Sequence, residues 1–235
     1  MIQRQRLNMM RNGNGRNARM EFITPISGQS LQLMVIDEMR PLRGGPFLPD
    51  LVAAIAGRYR FVKIPDAIYN DQQEPIKYYH GVLHTRELTI PIQSLEIYRD
   101  GVIVNSRSTE DSDEILGDFT VWMTEALNLR QPTTHVPRNY QSQLVVELSQ
   151  SLDGLLVGFQ KLNKILCQAF GSDADLSMTR LTIGPHPAGV LPYQRTWNIE
   201  ARIDQPFVPN RYVSTAPLPT FEHLNLLAKL EEAMG

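Results

Sequence analysis

Between residues 88 and 108 the chain alternates in the manner of a strand pair. Ile90, Ile92, Ser94, Glu96 and Tyr98 interleave with Pro91, Gln93, Leu95 and Ile97, and Asp100-Gly101 then precedes Val102, Ile103 and Val104. An Asp-Gly pair between β-branched runs marks a hairpin, because both residues tolerate positive φ. The acid-rich stretch 109–114 suits the positive end of a helix dipole. Ile115, Leu116, Phe119, Trp122, Met123, Ala126 and Leu127 follow on one face at a helical period. The segment 88–129 therefore predicts a hairpin followed by an amphipathic helix.

The same period of two places strands at 31–39 (LQLMVIDEM), 59–64 and 143–149, and a strand pair at 176–184 and 197–203. Leu51, Val52, Ile55 and Ala56 give a short helix face that opens at Pro49 and stops at Gly57. Leu152, Leu155, Leu156, Phe159, Leu162, Ile165 and Leu166 predict a further helix ending near Gly171, although 152–157 fits either period. The last helix carries Phe221, Leu224, Leu227 and Leu230 behind Thr220 as a cap. Polar or proline-punctuated segments at 65–75, 132–137, 185–192 and 206–219 read as connections.

The expected order is β, α, β, hairpin, α, β, α, hairpin, α. It lacks regular βαβ alternation, which argues for an α+β fold: a mostly antiparallel mixed sheet, or sheets, with helices on one face. Two hairpin-plus-helix units, near 88–129 and 176–234, suggest an internal duplication, with no repeat of residues along the chain to support it. Three parts are expected: a basic arm (1–20) and two α+β portions (21–130 and 138–235), packed separately or as one.

Charge changes this picture at one end. Arg4, Arg6, Arg11, Arg16 and Arg19 face no acid within the first 20 residues. Of 23 Lys+Arg that leaves 18 against all 25 Asp+Glu, a basic arm on an acidic body. The arm reads as disordered when free, able to meet phosphates or a partner subunit. A hydrophobic fraction of 42% over 235 residues supports a sizeable core without covalent staples. The single Cys167 favours a reducing compartment. The longest apolar run, 51–56, is far short of a membrane span. A cytoplasmic protein with no membrane association is expected.

Each candidate for chemistry meets a physical objection. His80 and His84 are four apart, with Glu87 nearby. In a strand that spacing separates the side chains by about 13 Å, too far for one metal. The loop Arg40-Pro41-Leu42-Arg43-Gly44-Gly45 could offer an anion two arginines and glycine amides. It lacks a phosphate-loop pattern, and Pro46 and Pro49 remove two N–H groups. Cys167 falls on an apolar helix side, where a structural thiol is expected, and no serine has an elbow context. The acids Glu110, Asp111, Asp113, Glu114 and Asp118 are expected to cap and solvate a helix. Asp37, Glu38, Glu96 and Glu200 could serve a carboxylate site, with nothing to single them out.

Neither cofactor nor metal is expected. The reading that follows is a non-enzymatic structural or interaction subunit of a larger intracellular assembly, with a protein partner or a second copy. The alternative is a nucleic-acid-associated protein using Arg4, Arg6, Arg11, Arg16 and Arg19. A weaker one is an enzyme holding a phosphorylated ligand at Arg40, Arg43, Gly44 and Gly45.

Overall fold

The computed structural model describes residues 20–33, 48–65, 75–98, 100–126, 130, 138–155, 159–170, 176–184, 196–203 and 208–234. Most of the arm and the Arg40–Gly45 loop lie outside the described residues, as do Asp37 and Glu38. The elements in chain order are β1 (Glu21–Leu33), α1 (Leu48–Tyr59), β2 (Ile76–His84), β3 (Thr89–Ile97), β4 (Gly101–Ser106) and α2 (Thr109–Ala126). They are followed by β5 (Arg138–Glu147), α3 (Phe159–Phe170), β6 (Arg180–Ile183), β7 (Trp197–Ala201), β8 (Arg211–Ala216) and α4 (Thr220–Met234). A 3-10 turn, Leu152–Leu155, precedes α3.

All the described strands join one antiparallel sheet in the order β2-β3-β4-β1-β5-β8-β7-β6. The order is its own mirror about the β1–β5 pair, and each half runs β-α-β-β-β-α. The fold is α+β, built from two like units whose first strands pair with each other. The local axis can be placed by register. Gly28 pairs with Ser106 on β4, and Ser142 pairs with Ala216 on β8. Gly28 and Ser142, thus equivalent, are also partners of each other.

The helix starts obey the same symmetry. The Thr109 N–H donates to Thr220 Oγ1 (3.0 Å) and the Thr220 N–H donates to Thr109 Oγ1 (2.7 Å). Each helix therefore caps one of the orphan amides of the other. Glu110 Oε1 accepts a further one, from Phe221 N–H. Ser112 Oγ donates to Gly28 O (2.6 Å), while His223, at the matching position of α4, meets Ser142 Oγ (2.6 Å).

Polar side chains crowd this axis, and apolar ones lie to either side. Ser30, Ser106, Thr109, Ser112, Ser142, Ser214, Thr220 and His223 are all buried. One apolar cluster unites α1, β2, β3, β4 and α2 around Ile55, Tyr59, Tyr78, Leu95 and Phe119. The other gathers Leu144, Val146, Ile199, Tyr212 and Leu227 under β5, β7, β8 and α4.

The hairpin-plus-helix expected from 88 to 129 is present as β3, β4 and α2, and the pair expected at 176–184 and 197–203 is present as β6 and β7. Several boundaries differ for identifiable reasons. The first strand starts at Glu21 and absorbs Pro25 at a register irregularity, a site where a missing N–H is tolerated. The first helix runs through Gly57 to Tyr59. It ends at Arg60 (φ 51°), where the Phe61 N–H bonds Ala56 O in a Schellman closure. What reads as a strand at 59–64 is thus a helix end plus a short bridge, Lys63 to Tyr79. β5 begins five residues before its expected start. The helix expected from 152 is preceded by the separate 3-10 turn. β8 was hidden in the proline-punctuated stretch 206–219, and the strand Arg211–Ala216 lies between those prolines. In β3 the strict alternation fails: Ile90, Ile92 and Leu95 are all buried. The phase changes opposite His80, whose φ is 56°.

Candidate binding cleft

β5 is longer than its neighbour. Its ladder with β8 runs from Ser142–Ala216 to Glu147–Arg211, after which Pro217 and Pro219 turn the chain into α4. Arg138, Asn139, Tyr140 and Gln141 still pair with β1, from Gln32 to Gln29. On their other side no strand follows among the described residues. A cleft of about 560 Å³ opens there, lined by Gln29, Asn139, Gln141, Asn198 and Thr215, with Pro219 toward one end. Its size is that of a ligand site, and its lining mixes polar side chains with Leu31, Ala216, Pro217, Leu218 and Pro219. The side chains of Gln29, Asn139, Gln141, Asn198 and Thr215 are carboxamides and a hydroxyl, which both donate and accept hydrogen bonds.

Arg138 and Glu222 also line the cleft, and Arg138 is engaged by α2. Arg138 Nη1 is 3.0 Å from Asp113 Oδ1, and Tyr140 donates its hydroxyl to Asp113 Oδ2 (3.0 Å). Burial, then the nearby Asp113 charge, push the Tyr140 phenol up. Asp113 thus fixes the start of β5 to α2.

The symmetry axis passes close by. His223 is fully buried, with Ser142 Oγ 2.6 Å from Nδ1 and Ser214 Oγ 2.8 Å from Nε2. The Trp197 Nε1–H also donates to Ser214 Oγ, which reaches Asn198 O (3.3 Å). A neutral ring satisfies every member: Ser142 O–H donates to Nδ1, Nε2–H donates to Ser214, and Ser214 donates to Asn198 O. Burial holds the imidazole pKa down at about 4. Serine beside histidine resembles an activated nucleophile, but Ser142, Ser214 and His223 have no exposed surface to meet a substrate. The group joins α4 to β5 and β8.

The predicted site residues are scattered. His80 and His84 lie on β2; His84 Nδ1 meets Thr89 Oγ1 (3.2 Å), and no cluster of metal-ligating side chains occurs among the described residues. Glu96 pairs with Lys77 at 3.3 Å. Cys167 is half-buried, its thiol directed at Asn163 Oδ1. Of the α2 acids, Asp118 takes Arg58 through both oxygens and the Tyr59 hydroxyl (2.8 Å), so it clamps α1 onto α2. The cleft itself was missed in the sequence. The available signal was an extended run from 138 interrupted by proline only later, at 217 and 219.

The chain matches no protein family, and no curated protein matches it in sequence. No described helix is long and apolar enough to cross a membrane.

Proposed function

We propose that the protein is a non-enzymatic interaction subunit of a larger intracellular assembly, and that its second half bears the docking surface. The observation that carries this is the unequal finish of two like units. In the first, α1 buries Val52, Ile55 and Tyr59 against α2 and the sheet. In the second, α3 occupies the matching place in the chain yet leaves Leu162 48% and Ile165 61% exposed, and Ile183 on the edge strand β6 is 53% exposed. Apolar side chains recurring on an exposed helix face support a contact with another protein. Lys161 and Lys164 beside them, with no acid on α3, favour an acidic contact surface.

The test is size-exclusion chromatography with light scattering on material purified with its natural partners. A defined complex above the 26.7 kDa of one chain is expected. Leu162→Ser with Ile165→Ser should dissolve it without lowering Tm. A clean monomer that retains no partner would sink the proposal.

A further inference from the structure

The sheet has two notches related by its internal symmetry, and they are filled differently. In each half the first strand outlasts its neighbour: β1 continues before Gly28, where β4 has ended at Ser106, as β5 continues before Ser142, where β8 has ended at Ala216. In the first half the Gln93 amide enters the notch and donates to Ile26 O (3.1 Å). Ile26 lies two residues before Gly28, as Tyr140 lies two before Ser142. The register makes Trp197 the counterpart of Gln93, since Ser94 pairs with Asn105 and Asn198 with Thr215. The Trp197 indole instead turns to Ser214 Oγ (3.0 Å). The group that closes the first notch is therefore directed elsewhere in the second, and the cleft of about 560 Å³ lies there.

We infer that this cleft receives an extended peptide of a partner protein, which adds to Arg138–Gln141 as a strand in line with β8. A strand needs backbone partners on its free side, and four residues of β5 span about 13 Å of such an edge. Continuity supports the same occupant, because the added strand prolongs the existing β5–β8 ladder past the point where Pro217 ends it. The lining fits too. Gln29, Asn139, Gln141, Asn198 and Thr215 offer carboxamide and hydroxyl donors and acceptors that can pair with a peptide's backbone, while Arg138 and Glu222 add one charge of each sign to the lining. This inference rests on the interaction reading above and gives it a bound conformation, at a site separate from the α3 face.

The test uses the full chain and an acetylated, amidated hexapeptide of alternating threonine and valine, followed by amide NMR. Two further peptides carry N-methyl groups on the odd or on the even residues. Shifts at Asn139, Gln141, Thr196 and Asn198 are expected. One methylated form should bind at least tenfold more weakly and the other within twofold, since only alternate amides face β5. Gln141→Trp, at an exposed position, should weaken the parent peptide at least tenfold with Tm unchanged. The inference is overturned by equal binding of both methylated forms, by shifts elsewhere, or by no shift at millimolar peptide. It is overturned equally by self-association that Gln141→Trp abolishes, which would put a second copy in the cleft. A tenfold gain in peptide affinity on deleting residues 1–19 would put the chain's own arm there and overturn it as well. A partner complex that survives Gln141→Trp removes the cleft assignment and leaves the interaction reading. Peptide binding with no partner complex does the reverse.

Discussion

Two helices in matching positions show how differently the halves are finished. α1 is held by Asp118, which takes the Arg58 guanidinium and the Tyr59 hydroxyl, while Arg58 also lies 5.1 Å from the Trp122 ring centroid. The adjoining Phe61 packs over Gly81, where an added Cβ would lie 2.5 Å from the ring. The Lys63–Tyr79 bridge then occupies the outer edge of β2. α3 keeps Leu162 and Ile165 exposed. On the sheet face away from the axis helices, the two halves nonetheless match in kind across the strands. Lys77–Glu96–Ile103–Leu31 runs over β2, β3, β4 and β1, and Arg180–Glu200–Val213–Val145 over β6, β7, β8 and β5. One scaffold has thus been completed as core on one side and left accessible on the other.

The largest effect is expected at the axis, where the halves must differ. A Cβ on Gly28 would fall 2.0 Å from the Ser108 carbonyl carbon, a backbone atom that cannot step aside. Gly28→Ala should cost more than about 4 kcal/mol, or prevent folding. Its equivalent already carries a side chain, so Ser142→Gly should cost only about 1–2 kcal/mol, chiefly through the hydrogen bond to His223. Urea denaturation of the two variants measures the contrast. A mild Gly28→Ala would show that the strand–turn approach is not tight.

Next come the paired helices. Ile55 is fully buried on α1, and its truncation to Ala should cost about 2–5 kcal/mol. Ile165 is 61% exposed on α3, and the same truncation should stay within about 0.5 kcal/mol. Equal losses in chemical denaturation would erase the distinction on which the docking surface rests.

His223 supplies a pH-dependent difference, because its counterpart Ser112 does not titrate. The folded imidazole has its pKa lowered to about 4, whereas the unfolded one protonates near 6.5. The unfolded chain therefore binds the proton first as pH falls. Stability contributed by neutral His223 is present above about pH 6.5 and is lost between there and about 4, amounting to about 3 kcal/mol. Other groups titrate in this range, so the measurement is the difference between the wild-type chain and His223→Gln across pH 4 to 7.5. A flat difference would mean that the ring is not held neutral.

How much of this was legible depends on the direction of the pattern. Contacts close in sequence were readable: the Asp100-Gly101 hairpin and the periodic face of Ile115, Leu116, Phe119 and Met123 needed only local periods. The duplication was visible in part, as two hairpin-plus-helix units with β8 missing from the second, while its residue-level trace was not, because it runs across strands. Lys77 matches Arg180 and Glu96 matches Glu200 only once register is known. β8 escaped because Pro206, Pro209, Pro217 and Pro219 flank its short run, and flanking prolines look like a continuous loop. Nothing local in the sequence marks Ser142, His223 and Ser214 as buried partners. Only the antiparallel return of β8 and α4 beneath β5 brings them together. The cleft was invisible for a related reason, since it is the difference in length between two paired strands.

The smallest effect tests the symmetry itself. Thr220 and Thr109 each accept, at Oγ1, a hydrogen bond from the other's backbone N–H, at 3.0 and 2.7 Å, and their Oγ1 atoms are 3.1 Å apart. Both residues are buried, so removing one hydroxyl leaves the opposite amide without its partner. Thr109→Val and Thr220→Val keep the shape and should each cost about 1–2 kcal/mol. The double variant should cost less than the sum, with a coupling of about 1 kcal/mol in a double-mutant cycle. That coupling links helices 111 residues apart in sequence, one from each half. Additive losses would mean that the two helix starts are capped independently of each other.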